Sequence, residues 1–307
     1  MSQSTHQPKV SIIIPVFNDV EGLERCLSAL EQQTYPSDRY EIIVVDNGSA
    51  QSIAPIAAKY PHAIATFESQ RGSYAARNKG IAIAQGEVLA FTDADCSPAS
   101  DWLEQGVAAL IANPDCGLVA GLVEFVFHTA HPNAYELFDS ISGLQQRAFI
   151  EKYKFGVTAN LFTQTWVFER VGLFDAALQS GGDFEWGVRV HRAGLPVVFS
   201  EQVRITHPAR NSFEELRKKH VRVMRGHYGL MQRGVYSRPK FVLGAIADLL
   251  VPFAFVPSVL RHPKLASASQ KLQAAKIAIL IRYVRGWERL KLLISGIWTE
   301  PLAKSKS

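Results

Sequence analysis

Apolar runs and helical patterns alternate along the first hundred residues of this chain. Continuous runs of β-branched residues bounded by turn residues are typical of strands that are buried on both faces of a sheet. They predict four strands, at Lys9–Phe17, Tyr40–Val45, Ala63–Phe67 and Val88–Thr92. Helical spacing and capping residues predict a helix after Asn18 and Asp19, and two more at Ile53–Lys59 and Ser73–Ala84. This alternation indicates an α/β fold with an open, mostly parallel sheet flanked by helices.

The pattern becomes less regular from about residue 115 onward. It predicts strands at Gly117–Phe127 and Val197–Ile205, and helices at Ala134–Tyr153 and Phe213–Gln232. After Pro239 the chain changes again, to apolar stretches that are interrupted by prolines and arginines. We therefore expect a regular α/β body followed by a helical extension of different character.

Three of the predicted strands end in polar residues. Asn18 and Asp19 follow the first strand, and Asp46 follows the second. Asp93 and Asp95 follow the fourth. Open α/β sheets bind their ligands outside the carboxyl ends of the strands, so these positions are the first indication of a binding site.

The pair Asp93 and Asp95, with one residue between them, can meet one divalent cation and a nearby ribose. Mg²⁺ and Mn²⁺ are hard ions that take carboxylate and phosphate oxygens together. An isolated pair of this kind is more often a solvated turn or a helix cap. Asp46, taken singly, is likewise more often a turn residue before Asn-Gly. A functional interpretation therefore depends on the motifs that surround these carboxylates.

Those motifs are similar to a known family. Four segments lie in the expected order, SIIIPVFN at 11–18, VVDNGS at 44–49, RGSYAARNKG at 71–80 and LAFTDAD at 89–95. With them the chain resembles glycosyltransferase family 2, the inverting transferases with a GT-A nucleotide-sugar-binding fold. A fifth segment, GGDFEWGVRVHRAG at 181–194, looks like the family's acceptor-side motif. The resemblance covers roughly residues 8–210.

The resemblance implies a donor-binding site. Pro15 and Phe17 lie where the family packs the nucleotide base, with Phe17 in place of the more usual tyrosine. Asp46 matches the residue that reads the base. Arg77 matches a position near the diphosphate, and Arg71 places a second cation there, although surface arginines are usually just solvated. UDP is the nucleotide that the resemblance favours, with GDP and dTDP open.

The resemblance also implies a metal site and a catalytic base. Asp93 should approach the ribose or the metal, and Asp95 should ligate the metal, which is Mg²⁺ or Mn²⁺. His207 is a further candidate ligand, although a lone histidine before proline is as often structural. Asp183 aligns with the base and Glu185 with a supporting carboxylate, but the family's usual Glu before the base is a glycine here. A register error in this motif would exchange the roles of Asp183 and Glu185.

The implied reaction moves a sugar, with inversion, from a nucleoside-diphosphate sugar to a hydroxyl of a saccharide or lipid-linked acceptor. We expect it to serve the synthesis of a cell-surface polysaccharide or glycolipid. A non-catalytic nucleotide-sugar-binding or scaffold protein that acts through its basic C-terminal region stays open as the alternative. A nucleotidyltransferase and a NAD-dependent dehydrogenase are disfavoured, because no glycine-rich loop of either kind follows the first strand.

The charged residues are distributed unequally between the two parts of the chain. The chain has 307 residues, 47% of them apolar, with 33 basic and 28 acidic residues and a net charge of +5. Residues 1–200 carry 13 Lys/Arg and 22 Asp/Glu, and residues 201–307 carry 20 and 6, which gives charges of −9 and +14. The basic part predicts an anionic partner. Lipid phosphate is favoured over nucleic acid, because the arginines are mixed with aliphatic runs rather than with stacking aromatics.

The basic part contains an apolar segment at Phe241–Leu260. It carries one charge, Asp248, and is interrupted by Pro252 and Pro257. A spanning helix needs about 20 uninterrupted apolar residues. We therefore expect a re-entrant or interfacial segment, or a buried helical pair, rather than a span.

Ile277–Trp298 is predicted to be an amphipathic helix. One face carries Ile277, Leu280, Val284, Trp287, Ile294 and Trp298, and another carries Arg282, Arg285 and Arg289. Either the interface of an anionic membrane or packing on the catalytic domain suits this pattern. We expect a GT-A catalytic domain at 8–210 and a basic helical extension at 211–307. Three cysteines in no metal-type spacing and a polar N-terminus favour a cytoplasmic protein, peripheral on the cytoplasmic face of the membrane if the extension binds lipid.

Overall fold

The computed structural model describes residues 7–299, and its side chains up to Ser295. Within this range eight strands form one sheet: β1 Val10–Val16, β2 Tyr40–Asp46, β3 Ala63–Phe67, β4 Val88–Thr92, β5 Ser97–Pro98, β6 Leu118–Val126, β7 Asn160–Gln164 and β8 Val197–Pro208. Their order across the sheet is β3-β2-β1-β4-β7-β6-β8-β5. The first four strands are parallel, whereas β7 is antiparallel to both β4 and β6. The predicted open α/β sheet is therefore confirmed.

Helices connect and follow the strands. The described α-helices are α1 Val20–Leu30, α2 Ala54–Ala57, α3 Ser73–Ile83, α4 Trp102–Ile111, α5 Ala134–Ser142, α6 Gln146–Tyr153, α7 Thr165–Val171, α8 Gly182–Arg192, α9 Phe213–Gln232, α10 Arg238–Leu250, α11 Val256–Leu260 and α12 Ala268–Thr299. Short 3₁₀ helices lie at Ser37–Arg39 and Pro252–Phe255.

The chain divides into two compact units. Unit 1 comprises Met1–Val126, Leu144–Ala177 and Gly182–Pro208. Unit 2 comprises Phe127–Gly143, Leu178–Gly181 and Ala209–Ser307. The whole sheet belongs to unit 1, and unit 2 takes two short segments from within residues 8–210. The division of function at residue 210 stays a prediction.

Unit 1 forms its core from the apolar runs that predicted the strands. All five residues of β4 are buried, as are Ile12, Ile13 and Ile14 of β1, so both faces of the central strands are covered. Helix α1 begins where the sequence predicted, because the Asp19 carboxylate accepts a hydrogen bond of 2.9 Å from the backbone N–H of Gly22. Strand β7 and helices α4, α7 and α8 were not predicted by the pattern.

The helix predicted at Ala134–Tyr153 is two helices. Helix α5 ends at Ser142, and Leu144 then takes a left-handed conformation with φ of +39° before α6 begins. A capping box starts α5. The Asn133 side chain accepts from the backbone N–H of Glu136, and the Glu136 carboxylate accepts from the backbone N–H of Asn133. The break matters for the architecture, because α5 belongs to unit 2 and α6 to unit 1.

Strand β8 extends three residues beyond its predicted end, to Pro208. Its parallel pairing with β6 shifts register between Gly121 and Leu122, which marks a bulge. A Cβ on Gly121 would lie 2.2 Å from the carbonyl oxygen of Val203, so only glycine permits this close approach. The buried Asn160 stabilises the bulge by donating to the carbonyl oxygens of Leu122 and Val203 at 2.9 and 3.0 Å.

Unit 2 is helical, with α12 packed against α5, α9, α10 and α11. Buried carboxylates bind its basic residues. Asp139 accepts from Lys219 at 2.6 Å and from Arg210 at 3.1 Å. Asp248 faces three arginines of α12, Arg282, Arg285 and Arg289, at 3.0, 3.6 and 2.6 Å.

These contacts show which face of α12 is turned inward within unit 2. Its arginines do not face outward as a cationic stripe, because they converge on the buried Asp248 of α10. Leu280, Trp287 and Ile294 of the predicted apolar face are instead exposed. The Trp298 side chain lies outside the part that the structure describes.

Phe241–Leu260 forms α10, the 3₁₀ helix at Pro252–Phe255 and α11. Between residues 7 and 299, no single helix combines the length and the apolar character needed to cross a membrane. The pair Arg238–Leu250 and Pro252–Leu260 meets those criteria only when taken together, and it bends by 93°.

Candidate active site

The loops after β1 and β2 are joined at the carboxyl edge of the parallel strands. Asn18 takes a left-handed conformation, with φ of +54°, and its backbone N–H donates to the Ser49 hydroxyl at 3.0 Å. Its side-chain oxygen accepts from the backbone N–H of Ala50 at 2.7 Å. A cavity of about 430 Å³ opens here and is lined by Asn18, Asp19, Val20, Glu21, Ser49, Ala50 and Gln51. The predicted binding edge of the sheet is therefore a real concavity.

Asp46 and Asn47 shape the second of these loops. The Asp46 carboxylate accepts from the backbone N–H of Ser49 at 2.9 Å, so it forms the turn that its sequence context predicts. The buried Asn47 amide donates to the carbonyl oxygen of Gln70 at 2.7 Å and accepts from the Gly72 N–H at 2.7 Å. Asn47 thereby fixes the loop that carries Arg71.

Phe17 and Arg71 stack at this edge. The Arg71 guanidinium lies 4.4 Å from the centroid of the Phe17 ring, a cation–π distance, and its Nη1 donates to the carbonyl oxygen of Asn47 at 3.3 Å. Phe17 is 52% exposed, whereas Pro15 lies half-buried within β1. The structure therefore places Arg71 against Phe17 and against Asn47, the residue next to Asp46.

A chain of contacts begins at the Asp-x-Asp motif. Arg77 is buried on α3, and its guanidinium donates a short hydrogen bond to Oδ1 of Asp93. The same guanidinium lies 5.6 Å from the ring centroid of Tyr74, one turn earlier on α3. The Tyr74 hydroxyl in turn donates to Oδ1 of Asp183 at 3.1 Å. Arg77 and Tyr74 thus connect the predicted metal motif to the predicted base.

Asp183 lies in the first turn of α8, where its Oδ1 also accepts from the backbone N–H of Phe184 at 2.9 Å. Burial raises the pKa of Asp183 above its ordinary value, against the hydrogen bonds from Phe184 and Tyr74 and the charge of Arg77, which lower it. The negative charge of Asp93 adds to the rise. The glycine at position 182, where the family commonly has Glu, fits the position of Tyr74. A Cβ on Gly182 would lie 2.8 Å from the Tyr74 ring, whose hydroxyl contacts Asp183.

Glu185 has a different environment. Both of its carboxylate oxygens are bound by Arg189, at 2.8 and 2.9 Å, one turn later on α8. Arg189 also donates to the carbonyl oxygens of Val171 and Leu173, so the pair stabilises the segment after α7. Of the two acidic residues in this motif, Asp183 is the one that contacts Tyr74.

Asp95 and His207 meet because β5 pairs with the end of β8. Ser97 is opposite Thr206 in this antiparallel pair, which places the residues before β5 next to His207. Oδ2 of Asp95 lies 3.3 Å from Nε2 of His207. Nδ1 of the same ring lies 2.7 Å from the carbonyl oxygen of Pro208, an acceptor, so Nδ1 carries the proton. Nε2 is therefore the ring nitrogen that faces Asp95, where it can donate to the carboxylate when protonated or offer a lone pair to a cation when neutral.

These donors fit a divalent ion that completes its coordination from a substrate. A histidine whose Nδ1–H is bound to a carbonyl is oriented as metal-ligating histidines usually are. Within residues 7–299 no group of three or more histidine, cysteine or acidic side chains is placed to hold a metal. Oδ1 of Asp93 is already bound by Arg77. Asp95 and His207 are therefore the candidate ligands, and Mg²⁺ is often bound through only one or two carboxylates plus substrate phosphates.

Tyr74 and Asn160 were not singled out from the sequence. Tyr74 lies inside the segment RGSYAARNKG, where it is the one aromatic residue among small and basic ones. That isolation was the available signal, because a buried tyrosine hydroxyl needs a partner. Asn160 offered no such signal, since its three partners lie 38 to 58 residues away along the chain.

Comparisons with known proteins bear on the family and the fold. Residues 11–170 match the model of the family described as "Glycosyl transferase family 2". The glycosyltransferase AglE of Haloferax volcanii is 44% identical over 227 residues, which cover 71% of this chain and 73% of that protein. The chain spans less than half the length of several other curated relatives that it matches.

Solved structures show the same fold at low identity. The mannosyltransferase PcManGT from Pyrobaculum calidifontis, solved with GDP-Man and Mn²⁺, has a TM-score of 0.61 and 20% identity over 96% of this chain and 89% of its own. Residues 1–349 of TarS from S. aureus, solved with UDP, have a TM-score of 0.53 and 16% identity over 92% of this chain and 91% of theirs. These similarities confirm the GT-A fold that the motifs predicted.

Proposed function

This chain belongs to glycosyl transferase family 2, and we propose that it transfers a sugar with inversion from a nucleoside-diphosphate sugar to a hydroxyl acceptor. The observation that carries the proposal is the chain of contacts Asp93–Arg77–Tyr74–Asp183. It links a carboxylate at the donor-binding edge to the half-buried carboxylate of Asp183, whose pKa is raised by desolvation. A transferase needs this separation of roles, because one group handles the leaving diphosphate and another handles the attacking hydroxyl.

The donor end of the site is suited to a nucleotide. The exposed Phe17 ring, with Arg71 over it, offers an apolar and cationic surface on which a base can lie. Asp46 uses one oxygen for the Ser49 N–H, and a carboxylate has a second oxygen that can accept the imide N–H of a uracil. This supports a uridine nucleotide as the first choice. The similar structures were solved with a guanosine and a uridine nucleotide respectively.

The diphosphate end contains two groups of different kinds. The Nε–H of Arg77 is buried and has no acceptor among the described residues, so it can donate to a phosphate oxygen. Asp95 and His207 would hold Mg²⁺ or Mn²⁺, with Asp93 next to them. When bound, such an ion neutralises the charge that develops on the leaving diphosphate.

Asp183 is the proposed base. It has to be deprotonated to accept the proton of the acceptor hydroxyl, and a raised pKa makes its carboxylate a stronger proton acceptor. Tyr74 holds one of its oxygens in place and leaves the other to face the hydroxyl. Attack from the side opposite the diphosphate inverts the anomeric centre. Positioned proton transfer of this kind is worth about 10²–10⁴-fold in rate.

The product proposed for this reaction is a cell-surface polysaccharide or glycolipid, made at the cytoplasmic face of the membrane. The basic, apolar character of unit 2 supports a site of action at a lipid surface. The acceptor is a saccharide or a lipid-linked saccharide.

A panel of nucleotide sugars tests the proposal. Each is incubated with the intact chain and Mn²⁺, and release of nucleoside diphosphate is measured with and without a chelator. We expect one uridine-linked donor to be turned over fastest, and the chelator to abolish turnover. Release of no nucleoside diphosphate from any donor, while the chain still binds a nucleotide sugar, would favour a non-catalytic binding protein instead.

A further inference from the structure

The turn between α10 and α11 presents large apolar side chains to solvent. Leu250 is 76% exposed and Phe253 is 61% exposed, with Val251 and Phe255 exposed beside them. The two helical segments meet at 93°, so residues 250–255 form the apex of a bent pair. We call residues 250–255 the apolar tip. No charged residue lies between Leu249 and Leu260.

The outer face of α12 extends this surface. Leu280, Tyr283, Trp287 and Ile294 are exposed and follow one another at helical spacing, so they share one face. Helices α10 and α12 also form a groove of about 270 Å³ that is lined only by apolar residues, Val242, Ala245, Ile246, Leu249, Leu250, Leu290 and Leu293. Because Leu250 belongs both to the groove and to the tip, these parts form one apolar surface.

The charges of the same region are arranged around this surface. Residues 238–299 contain ten Lys/Arg and two acidic residues, Asp248 and Glu288. Both carboxylates are buried and bound by basic residues, Asp248 by three arginines and Glu288 by Arg225 and Lys291. Every exposed charge of residues 238–295 is therefore positive. Exposed cations lie on both sides of the tip, Arg238 and Lys240 before it and Arg261 and Lys264 after it.

We propose that unit 2 docks through this surface onto an anionic lipid bilayer, with the apolar tip among the acyl chains and the flanking cations at the level of the lipid phosphates. Interfacial segments bind through the sum of buried apolar area and attraction to anionic lipid. Each Lys or Arg near such a surface strengthens binding by about fivefold. The inward arginines of α12 fit the same arrangement, because they leave an apolar face outside.

A second copy of the chain fits this surface less well than a bilayer. A two-fold contact places the same patch of both copies together, so the exposed cations around the tip would oppose each other. An anionic bilayer can bury the apolar side chains among its acyl chains and also attract the cations to its lipid phosphates. Charge complementarity therefore selects the lipid as the occupant.

Flotation of the intact chain with vesicles tests the proposal. The vesicles are phosphatidylcholine alone or phosphatidylcholine mixed with phosphatidylglycerol, each at low and at high salt. We expect the chain to float with the mixed vesicles at low salt, and to bind at least about tenfold more weakly to phosphatidylcholine alone. Failure of the intact chain to float with mixed vesicles at low salt overturns the proposal.

Two double variants separate the apolar and the cationic contributions. Leu250→Glu/Phe253→Glu should weaken binding to mixed vesicles at least about tenfold, because two inserted side chains are lost. Its matched control is Ile111→Glu on α4 of unit 1, an apolar residue that is 61% exposed. Lys240→Glu/Lys264→Glu should weaken binding about as much, and Arg39→Glu/Lys152→Glu of unit 1 is the matched control. Both controls should bind as the unchanged chain does.

The other outcomes of these experiments contradict the proposal. Equal loss of binding in a variant and in its control, or no loss in either double variant, removes this surface as the docking site. A dimer in sedimentation equilibrium that Leu250→Glu/Phe253→Glu dissociates, without vesicle binding, assigns the surface to a second copy. Turnover of nucleotide sugar by the tip variant in the absence of vesicles should equal that of the unchanged chain, which shows that the variant is folded.

Discussion

Two carboxylates, the buried Asp139 of unit 2 and the half-buried Asp183 of unit 1, differ in the groups that surround them. In unit 2, burial tends to raise the pKa of Asp139, but Lys219 and Arg210 outweigh burial and hold that pKa below its ordinary value. In unit 1, Asp183 accepts hydrogen bonds from the Tyr74 hydroxyl and the Phe184 backbone N–H, and burial keeps its pKa raised. A carboxylate saturated by cations stabilises the fold, whereas one without an ion pair can accept a proton.

Removing the carboxylate of Asp139 should have the largest effect. In Asp139→Ala, Lys219 and Arg210 lose their partner while Lys219 stays buried, which costs about 3–5 kcal/mol of unfolding free energy. Urea denaturation measures the loss. The matched change Asp183→Asn should alter the unfolding free energy by less than about 1 kcal/mol, because no ion pair is broken. Equal destabilisation by the two changes would remove the distinction between the two carboxylates.

Removing the imidazole of His207 should have the next largest effect. His207→Ala leaves Asp95 as the nearest ligand, so the Mn²⁺ concentration for half-maximal turnover should rise about 10–100-fold. His191→Ala, an exposed histidine of α8, is the control and should leave the Mn²⁺ requirement unchanged. An unchanged requirement in His207→Ala would show that the Asp95–His207 pair is only structural.

Removing the Tyr74 hydroxyl should have a smaller effect with a distinct signature. Its hydrogen bond lowers the pKa of Asp183, so Tyr74→Phe should raise that pKa further. The base is active when deprotonated, so kcat/KM is lost as pH falls through this pKa, and the loss should begin at higher pH in the variant. At neutral pH the decrease should be less than about tenfold. A pH–rate profile measures both effects, with the exposed Tyr153→Phe as control, and an unmoved acid limb would contradict the role of Tyr74.

The sequence predicted the parallel half of the sheet well, for a physical reason. Strands β1, β2 and β4 are almost wholly buried, so each is a continuous apolar run that few surface elements resemble, whereas the edge strand β3 exposes Ile64 and Phe67. Strand β7, Asn-Leu-Phe-Thr-Gln, has no such run, because its ends carry polar residues that bond to neighbouring segments. Its place depends on pairing with β4 and β6, which periodicity cannot indicate.

The sequence left the orientation of α12 open for a related reason. Helical periodicity correctly separated the arginines from the apolar residues, but it does not say which face is buried. Asp248, 41 residues before Arg289, decides the question by binding the arginines inside unit 2. Tyr74 was missed on the same ground, since its partner Asp183 is 109 residues away. Motifs indicated which residues matter, while the pairing of distant residues required the structure.

The most direct test of the account compares transfer by Asp183→Asn and by Glu185→Gln, with the donor that the nucleotide-sugar panel selects. We expect Asp183→Asn to lower kcat by about 10²–10⁴-fold with donor affinity close to that of the unchanged chain. Glu185→Gln should lower kcat by less than about tenfold, because Glu185 pairs with Arg189. Full turnover by Asp183→Asn, or a loss of kcat in Glu185→Gln as large as the one expected of Asp183→Asn, would contradict the assignment of Asp183 as the base.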